Sequence, residues 1–366
     1  MTTSANFEIR PVQNRVSAEE RAMRMQSLGF GRTFTEHMVI IDYNEGQGWG
    51  RGVIQPYCPM QMSAATSVLH YGQAIFEGLK AYSQPDGGMK TFRPEMNAAR
   101  FNDSARRMAM PELPTGWFVE AIDELLRLDA AWLPKNVGES IYLRPIMIAM
   151  DDALGARPSQ NYRFVLMASP SGSYFPRGVK PVRVLVCEDY VRAAPGGTGA
   201  VKCAGNYAAG MIAQRKARAE GCDEVIWLDA VHRRFIEEMG GMNICFVYER
   251  DGRTVLTTPE LTGTILPGVT RDSLLVLARD LDLGVDERRV AIDEWEEDVK
   301  AGRMVEAFAC GTAAVITPIA SVKDTHGTFT IRGGEAGPLT LKLRETLLSI
   351  QHGLLPDPHN WMHSVI

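Results

Sequence analysis

Ser169–Pro181 reads SPSGSYFPRGVKP, and this stretch divides the chain. Gly, Pro and Ser crowd between two apolar runs, YRFVLMA (Tyr162–Ala168) before it and VRVLVC (Val182–Cys187) after it, the pattern of a connection between folded units. A chain of 366 residues is long for one compact domain and natural for two. The expected organisation is therefore an N-terminal domain over 1–173, a linker over 174–182 and a C-terminal domain over 183–366.

Working upstream, Ser140–Met150 and Tyr162–Ala168 have strand character, as does Thr33–Tyr43. Ser63–Tyr82 suggests a strand leading into a short helix. Met96–Met110 and Trp117–Leu133 carry apolar residues at helical spacing; Phe118, Ile122, Leu125, Leu126 and Leu128 form the second stripe. Downstream, Val182–Cys187, Glu224–Asp229, Ile244–Glu249, Thr254–Thr258 and Glu306–Val315 are short β-branched runs bounded by turn residues. Helices are expected at Asn206–Glu220, Arg271–Leu281, Asp293–Ala301 and Leu339–Gln351. Strands and helices do not alternate strictly, so the fold class is α+β (mixed α/β), with a smaller N-terminal domain and a larger, strand-rich C-terminal one.

Composition narrows the function. Lys+Arg 39 against Asp+Glu 44 leaves a net charge of −5, with no basic excess to grip a phosphate backbone, so nucleic-acid binding is not expected. The cysteines (58, 187, 203, 222, 245 and 310) contain no C-x-x-C pair, which argues against zinc ribbons and dithiol chemistry and fits a reducing cytoplasm. Residues 1–25 carry charges throughout, and no run approaches 18 apolar residues, so neither a secretory signal nor a membrane span is expected.

The most unusual window is Ala193–Ala213, AAPGGTGAVKCAGNYAAGMIA, in which Lys202 is the only fixed charge between Arg192 and Arg215. A lysine set among small apolar residues loses solvation, its pKa falls, and its neutral amine becomes a nucleophile toward carbonyl carbon. On this window alone the more ordinary reading is a surface lysine on a glycine loop, which is what most lysines are. Phosphate-loop readings fail: a Walker pattern from Gly196 meets Val201 and Cys203 where Gly and a hydroxyl belong, and G-x-G-x-x-G from Gly197 ends on Lys202.

In FIEEMGGMN (Phe235–Asn243) two acids precede a Gly pair and a strand; Glu237 and Glu238 are adjacent, so in extended geometry one faces inward and the other is solvated. ILPGVTRDSLL (Ile265–Leu275) reads as a turn feeding a helix whose free N–H groups can hold an anion, and ACGTAAV (Ala309–Val315) repeats a glycine–hydroxyl pair. An amine for an aldehyde, an acid for a pyridine nitrogen and a cup for a phosphate are what pyridoxal 5'-phosphate requires.

The chain resembles the branched-chain amino acid aminotransferases, the fold-type-IV group of pyridoxal-phosphate enzymes. The likeness runs from about Phe30 to Trp361 through FGRTFTEHM, LHYGQAIFEGLKAY, FRPEMNAARF, YLRP, ASPSGSYFPRG, GGTGAVKCAGNYAAG, EEMGGMN, LPGVTRDSLL and ACGTAAVITP, in the family's order. The resemblance implies that Lys202 anchors the cofactor and shuttles the substrate proton. It implies that Tyr207 bonds the cofactor's phenolic oxygen and that Glu238 faces its ring nitrogen, Glu237 being the solvated neighbour. Arg100, the backbone N–H groups of Val269 and Thr270, and the Thr312 hydroxyl would hold the phosphate.

For the substrate, the resemblance implies an apolar pocket lined by Phe30, Phe76, Tyr142 and Tyr174. Arg144 would meet the distal carboxylate of glutamate. The α-carboxylate would lie near Tyr71, Gly241 and the N–H of Ala313. The implied activity is reversible, ping-pong transfer of the amino group of L-Leu, L-Ile or L-Val to 2-oxoglutarate, in a cytoplasmic homodimer. Two departures stand out: Gly241 replaces the Thr of many vertebrate relatives, and Thr312-Ala313-Ala314-Val315 lacks their C-x-x-C pair. A D-amino-acid aminotransferase or an aminodeoxychorismate lyase would share the lysine and the acid; HYGQAIFEGLKAY and YLRP favour the branched-chain group. A cofactor-free binding protein on the same scaffold would have lost Lys202, Glu238 or the phosphate cup.

Overall fold

The computed structural model describes residues 6–175 and 178–366; Pro176 and Arg177, inside the expected linker, lie outside the described residues. The chain forms two compact units, one of residues up to Tyr174 with Lys202–Gly205 and Ser349–Ile366, the other of Phe175–Val201 and Asn206–Leu348.

The first unit opens with β1 (Phe7–Ile9), α1 (Ala18–Met25), β2 (His37–Asn44), β3 (Gly48–Trp49) and β4 (Gly52–Pro56). It continues through α2 (Ser67–Tyr71), β5 (Ala74–Phe76), β6 (Leu79–Ser83), β7 (Met89–Phe92), α3 (Pro94–Arg107), α4 (Thr115–Leu128), β8 (Ser140–Ala149) and β9 (Asn161–Ser171). Its sheet runs β1-β4-β2-β9-β8-β6-β7, with β3 on β2 and β5 on β8. β8 is buried along most of its length, so its run IYLRPIMIA is nearly continuous in apolar residues instead of alternating. α4 buries Phe118, Ala121, Ile122, Leu125 and Leu126, and Phe101 of α3 fills the gap to the sheet, its ring 5.5 Å from Phe118 and 5.7 Å from Phe164. Each buried Leu, Ile or Phe here contributes about 1.5–3 kcal/mol by leaving water.

Two outcomes differ from the sequence reading. Within Ser63–Tyr82 the helix comes first: α2 stops at Gly72, which takes the left-handed conformation (φ 62°) and donates its N–H to Val68 O, and strands β5 and β6 follow. The C-terminal tail also returns to the first unit, where a final strand (Met362–Ser364) pairs antiparallel with β7, Met362 opposite Phe92.

The second unit contains β10 (Val182–Cys187), α5 (Ala204–Ala219) from Asn206 onward, β11 (Glu224–Leu228), β12 (Ile236–Met239), β13 (Met242–Arg250) and β14 (Arg253–Thr258). Then come α6 (Val269–Asp280), β15 (Gly284–Glu287), α7 (Ile292–Lys300), β16 (Met304–Gly311), β17 (Val315–Lys323), β18 (Thr328–Thr330) and α8 (Pro338–Gln351) as far as Leu348, the tail strand above being β19. The strand order is β12-β11-β10-β17-β16-β13-β14-β15, and β12 also pairs β13. That extra pairing closes β12, β11, β10, β17, β16 and β13 into a ring, a barrel-like sheet without an open edge between those strands. Trp295 of α7 is fully buried against it, edge-on to Phe246 at 5.1 Å. The expected strand Glu306–Val315 is broken: β16 ends at Gly311, Thr312–Ala314 turn, and β17 starts at Val315.

Candidate active site

In the first unit, the backbone of Lys202 is stitched to β5 and α3. Its carbonyl accepts the Phe76 N–H (3.0 Å), its own N–H goes to Ser104 Oγ (3.0 Å), and Cys203 bridges Ile75. These bonds aim the amine over the Phe76 ring, with Nζ 4.7 Å from the centroid. Burial pushes the Lys202 ammonium down to about 8, the positive charges of Arg100 and Arg144 adding to the effect and Glu77 opposing it. A lysine in this range supplies a neutral amine near neutral pH.

Glu77 is the residue that sequence reasoning missed, although the family likeness runs through its stretch. It is fully buried and accepts from Arg100 Nε (2.6 Å) and Nη2 (2.9 Å), Asn97 Nδ2 (2.8 Å) and Gly78 N–H (3.0 Å). Burial works to raise its carboxyl, yet the Arg100 guanidinium, with Lys202 and Asn97, holds it below the ordinary carboxylate range. The signal available in QAIFEG was a lone acid inside an apolar strand, which must bring its own partners.

Three expected substrate residues, Phe76, Tyr142 and Arg144, lie near Lys202, and a fourth, Phe30, packs on Tyr142. Arg144 lies 4.8 Å above the Phe76 ring and 5.3 Å from the Tyr142 centroid, with Nη2 donating to Tyr142 Oη (3.0 Å). Phe30 meets Tyr142 edge-on at 4.7 Å. Gly78 makes this possible, because a Cβ there would stand 2.0 Å from the Tyr142 hydroxyl. Buried Arg144 Nε has no hydrogen-bond partner among the described residues. Tyr71 is placed differently: it is 46% exposed and its hydroxyl donates to Leu154 O. Tyr174, at the end of the first unit, is also exposed.

The second unit holds another set. Glu238 on β12 is buried; Oε1 accepts the Leu266 N–H (2.8 Å), and Oε2 lies 3.2 Å from Arg192 Nε. Buried Arg192 also donates through Nη2 to Gly199 O (3.1 Å) and Thr264 O. One guanidinium thus ties the acid to the glycine loop that precedes Lys202 in sequence. Tyr207 on α5, Glu238 and Gly241 line a small cavity of about 40 Å³ with Arg192, Trp227 and Leu266.

Val269 and Thr270 form the first turn of α6 after Gly268, where a Cβ would meet Asn243 Oδ1 at 1.9 Å. Asn243 Nδ2 donates to Leu266 O (2.9 Å), and Asn243 pairs with Cys310 across β13 and β16. The same residue therefore anchors the approach to α6 and the strand leading into the Thr312–Ala313–Ala314 turn. That turn ends at Val315 with φ 65°, a conformation that strains a β-branched residue.

Glu237 corrects the sequence reading, which had it solvated. It is 5% exposed, and its Oε1 accepts the Thr264 hydroxyl. Burial pushes its carboxyl up, against the Thr264 bond and the Arg192 charge. The two acids do face opposite ways along β12, but the Pro259–Ile265 connection covers the second face, so neither meets bulk water.

The chemistry of these donors fits pyridoxal phosphate: an amine with a lowered pKa, a buried acid in contact with an arginine and an N–H, a tyrosine beside that acid, and a helix N-terminus near a hydroxyl-bearing turn. Comparison with known proteins agrees. The family model described as amino-transferase class IV matches residues 74–322. The chain is 54% identical over 335 residues to the branched-chain-amino-acid aminotransferase of Mycolicibacterium smegmatis, covering 91% of each chain. It is 52% identical over 364 residues to a probable branched-chain-amino-acid aminotransferase of Streptomyces coelicolor, covering 99% of each. A solved T.th. branched-chain amino acid aminotransferase with pyridoxamine 5'-phosphate is 29% identical with a TM-score of 0.75, over 92% of this chain and 100% of that one. Likeness over nearly the whole length, on a fold with a closed strand-rich unit and a placed lysine, makes this chain a member of the branched-chain-amino-acid aminotransferase family of class IV aminotransferases.

Proposed function

We propose that the chain transfers the amino group of L-Leu, L-Ile or L-Val to 2-oxoglutarate, reversibly and in two half-reactions, with pyridoxal 5'-phosphate as cofactor. The observation that carries this reading is Lys202 held over Phe76 among Arg100, Glu77, Tyr142 and Arg144, its pKa brought to about 8. Support comes from the relatives' names and from the pyridoxamine 5'-phosphate of the solved T.th. structure.

When bound, the cofactor supplies an electron sink for the carbanion formed at the substrate Cα. Lys202 is its anchor and moves the proton from and to that carbon. Glu238, positioned by Arg192 and the Leu266 N–H, holds a proton on the ring nitrogen. Tyr207 binds the phenolic oxygen. Val269 and Thr270 N–H groups, the Thr312 hydroxyl and Arg100 bind the phosphate, Glu77 fixing the Arg100 fork.

Phe30, Phe76 and Tyr142 wall the aliphatic side chain, a surface that rewards area and offers little else. Arg144 takes the distal carboxylate of glutamate. Tyr174 closes the pocket, and Tyr71, Gly241 and the Ala313 N–H receive the α-carboxylate. Leu69 and Leu154 are large apolar side chains left exposed, and we place the enzyme as a homodimer. Residues 1–173 and 183–366 are its proposed domains, joined through 174–182. No helix among the described residues is long and apolar enough to cross a membrane, and a cytoplasmic location is proposed.

The test is an absorbance spectrum of the purified protein. A near-visible band should bleach with L-leucine but not D-leucine, and borohydride reduction of fresh protein should leave the cofactor mass on the Lys202 peptide. A protein that stays colourless when given pyridoxal phosphate would remove the reading.

A further inference from the structure

The second face of β12 opens on a cavity of about 300 Å³ that the proposed chemistry does not use. Asp229–Glu237, Pro259–Ile265, Pro195 and Arg289 enclose it, all within the second unit. Its walls are apolar where Pro195, Val231, Phe235, Pro259 and Ile265 contribute.

Two polar groups in it are unspent. Glu237 is 5% exposed; Oε1 is satisfied by Thr264, itself bonded to Thr262 (2.8 Å), while buried Oε2 has no partner among the described residues. An acid oxygen buried in this way costs stability until a donor reaches it. Arg289 lines the same cavity, lies 5.4 Å from the Phe235 centroid and uses only Nε, on Glu260 (2.9 Å), so its terminal N–H groups make no hydrogen bond among the described residues. The other acid, Asp229, is committed: its carboxylate accepts the N–H groups of Val231, His232, Arg234 and Phe235.

We propose that this cavity is a second ligand site, which takes a small aliphatic α-amino acid as a zwitterion, its ammonium on Glu237 Oε2 and its carboxylate on Arg289. A buried acid and a guanidinium on one cavity with partly apolar walls match the two charges and the side chain of such a molecule. A simple anion would meet Glu237 and Glu260, and a simple amine would leave Arg289 unused. The site lies on the face of β12 opposite Glu238, so occupancy is felt one residue from the acid assigned to the ring nitrogen. The enzyme's own substrate class thereby becomes a regulator, an inference that rests on the proposed function.

The test uses borohydride-reduced holoenzyme, in which the anchored cofactor no longer exchanges with amines, and radiolabelled L-leucine in equilibrium dialysis. Reduced wild-type protein should retain one leucine per chain. Glu237→Gln and Arg289→Gln should each weaken that retention at least about tenfold, the scale of one charge-assisted hydrogen bond, while both variants turn leucine over before reduction. Arg289 is half-exposed, so its variant tests the site even if Glu237→Gln fails to fold. No retention by the reduced wild type, or retention in both variants equal to that of the wild type, overturns the proposal. Failure of the catalytic reading would show separately, as protein with no reducible band.

Discussion

Glu77 and Arg100 form a two-point ion pair, Oε1 to Nε at 2.6 Å and Oε2 to Nη2 at 2.9 Å, and Glu77 is the acid whose charge opposes the fall in the Lys202 pKa. The carboxylate thus acts in two directions, fixing the arginine fork and holding part of the lysine's proton affinity. Glu77→Gln keeps the shape and removes the charge, so the Lys202 pKa should fall further below about 8. The check is the pH dependence of Lys202 acylation in cofactor-free protein, and an unmoved midpoint would separate Glu77 from the lysine. Glu77→Ala should instead cost stability, about 3–5 kcal/mol, because it takes the carboxylate away from a buried guanidinium; calorimetry reads that directly.

The depressed lysine also makes a statement about stability. Unfolded, Lys202 holds its proton up to about 10.5; folded and without cofactor, only to about 8. Between those values the unfolded chain binds more protons, so the Lys202 contribution grows as pH rises through that window and is least below 8. Lys202→Met lacks the titration. The stability difference between wild type and variant, followed by denaturant unfolding from pH 7 to 10.5, should shift toward wild type as pH rises. A flat difference would mean that the amine keeps its ordinary pKa.

Glu238 has Arg192 as its charge partner, and the two should fail in order. Glu238→Gln removes the negative charge facing the proposed ring nitrogen, and turnover should fall roughly 10²-fold or more, the scale of one placed acid–base group. Arg192→Gln leaves the acid but removes the cation 3.2 Å from it, so its loss should be smaller. Steady-state kinetics on both variants decides, and an unaffected Glu238→Gln would transfer the role to Glu237.

Much of the architecture could be read from the sequence because long elements carry their own periodicity. Phe118, Ile122, Leu125 and Leu126 marked α4. Short elements were harder. β5 and β6 are three and five residues long, too brief to show a period, and what separates them from α2 is the left-handed Gly72. The Thr312–Ala314 turn was read as strand because nothing in ACGTAAV marks Val315 as strained. In the site, Lys202 announced itself by isolation from other charges. Glu77 did not, since its meaning depends on Asn97 and Arg100 arriving one to two dozen residues later. Glu237 was misjudged because strand alternation says which way a side chain points and not what covers that face.

Gly78 should tolerate no side chain. A Cβ would stand 2.0 Å from the Tyr142 hydroxyl, so Gly78→Ala forces that ring to move or the strand to yield. Overpacking of this kind costs about 1–3 kcal/mol. Because Tyr142 also contacts Phe30 and Arg144, the KM for leucine should rise along with the loss of stability. Thermal unfolding and steady-state kinetics on the same preparation would show both, and an unchanged KM would take Tyr142 out of the substrate wall.

Arg144 separates the two half-reactions. Its guanidinium is held between Phe76 and Tyr142, and Nε is buried without a partner among the described residues, so the charge is positioned to receive a carboxylate. Glutamate brings one at the end of its side chain and leucine does not. Arg144→Ala should therefore lower kcat/KM for glutamate by about 10–100-fold, the worth of a charge-assisted hydrogen bond, and affect leucine much less. Arg144→Lys keeps a point charge without the planar fork and should fall between wild type and alanine with glutamate. Equal losses with both donors would mean that Arg144 acts by packing against Phe76 and Tyr142, and the distal carboxylate would need another partner.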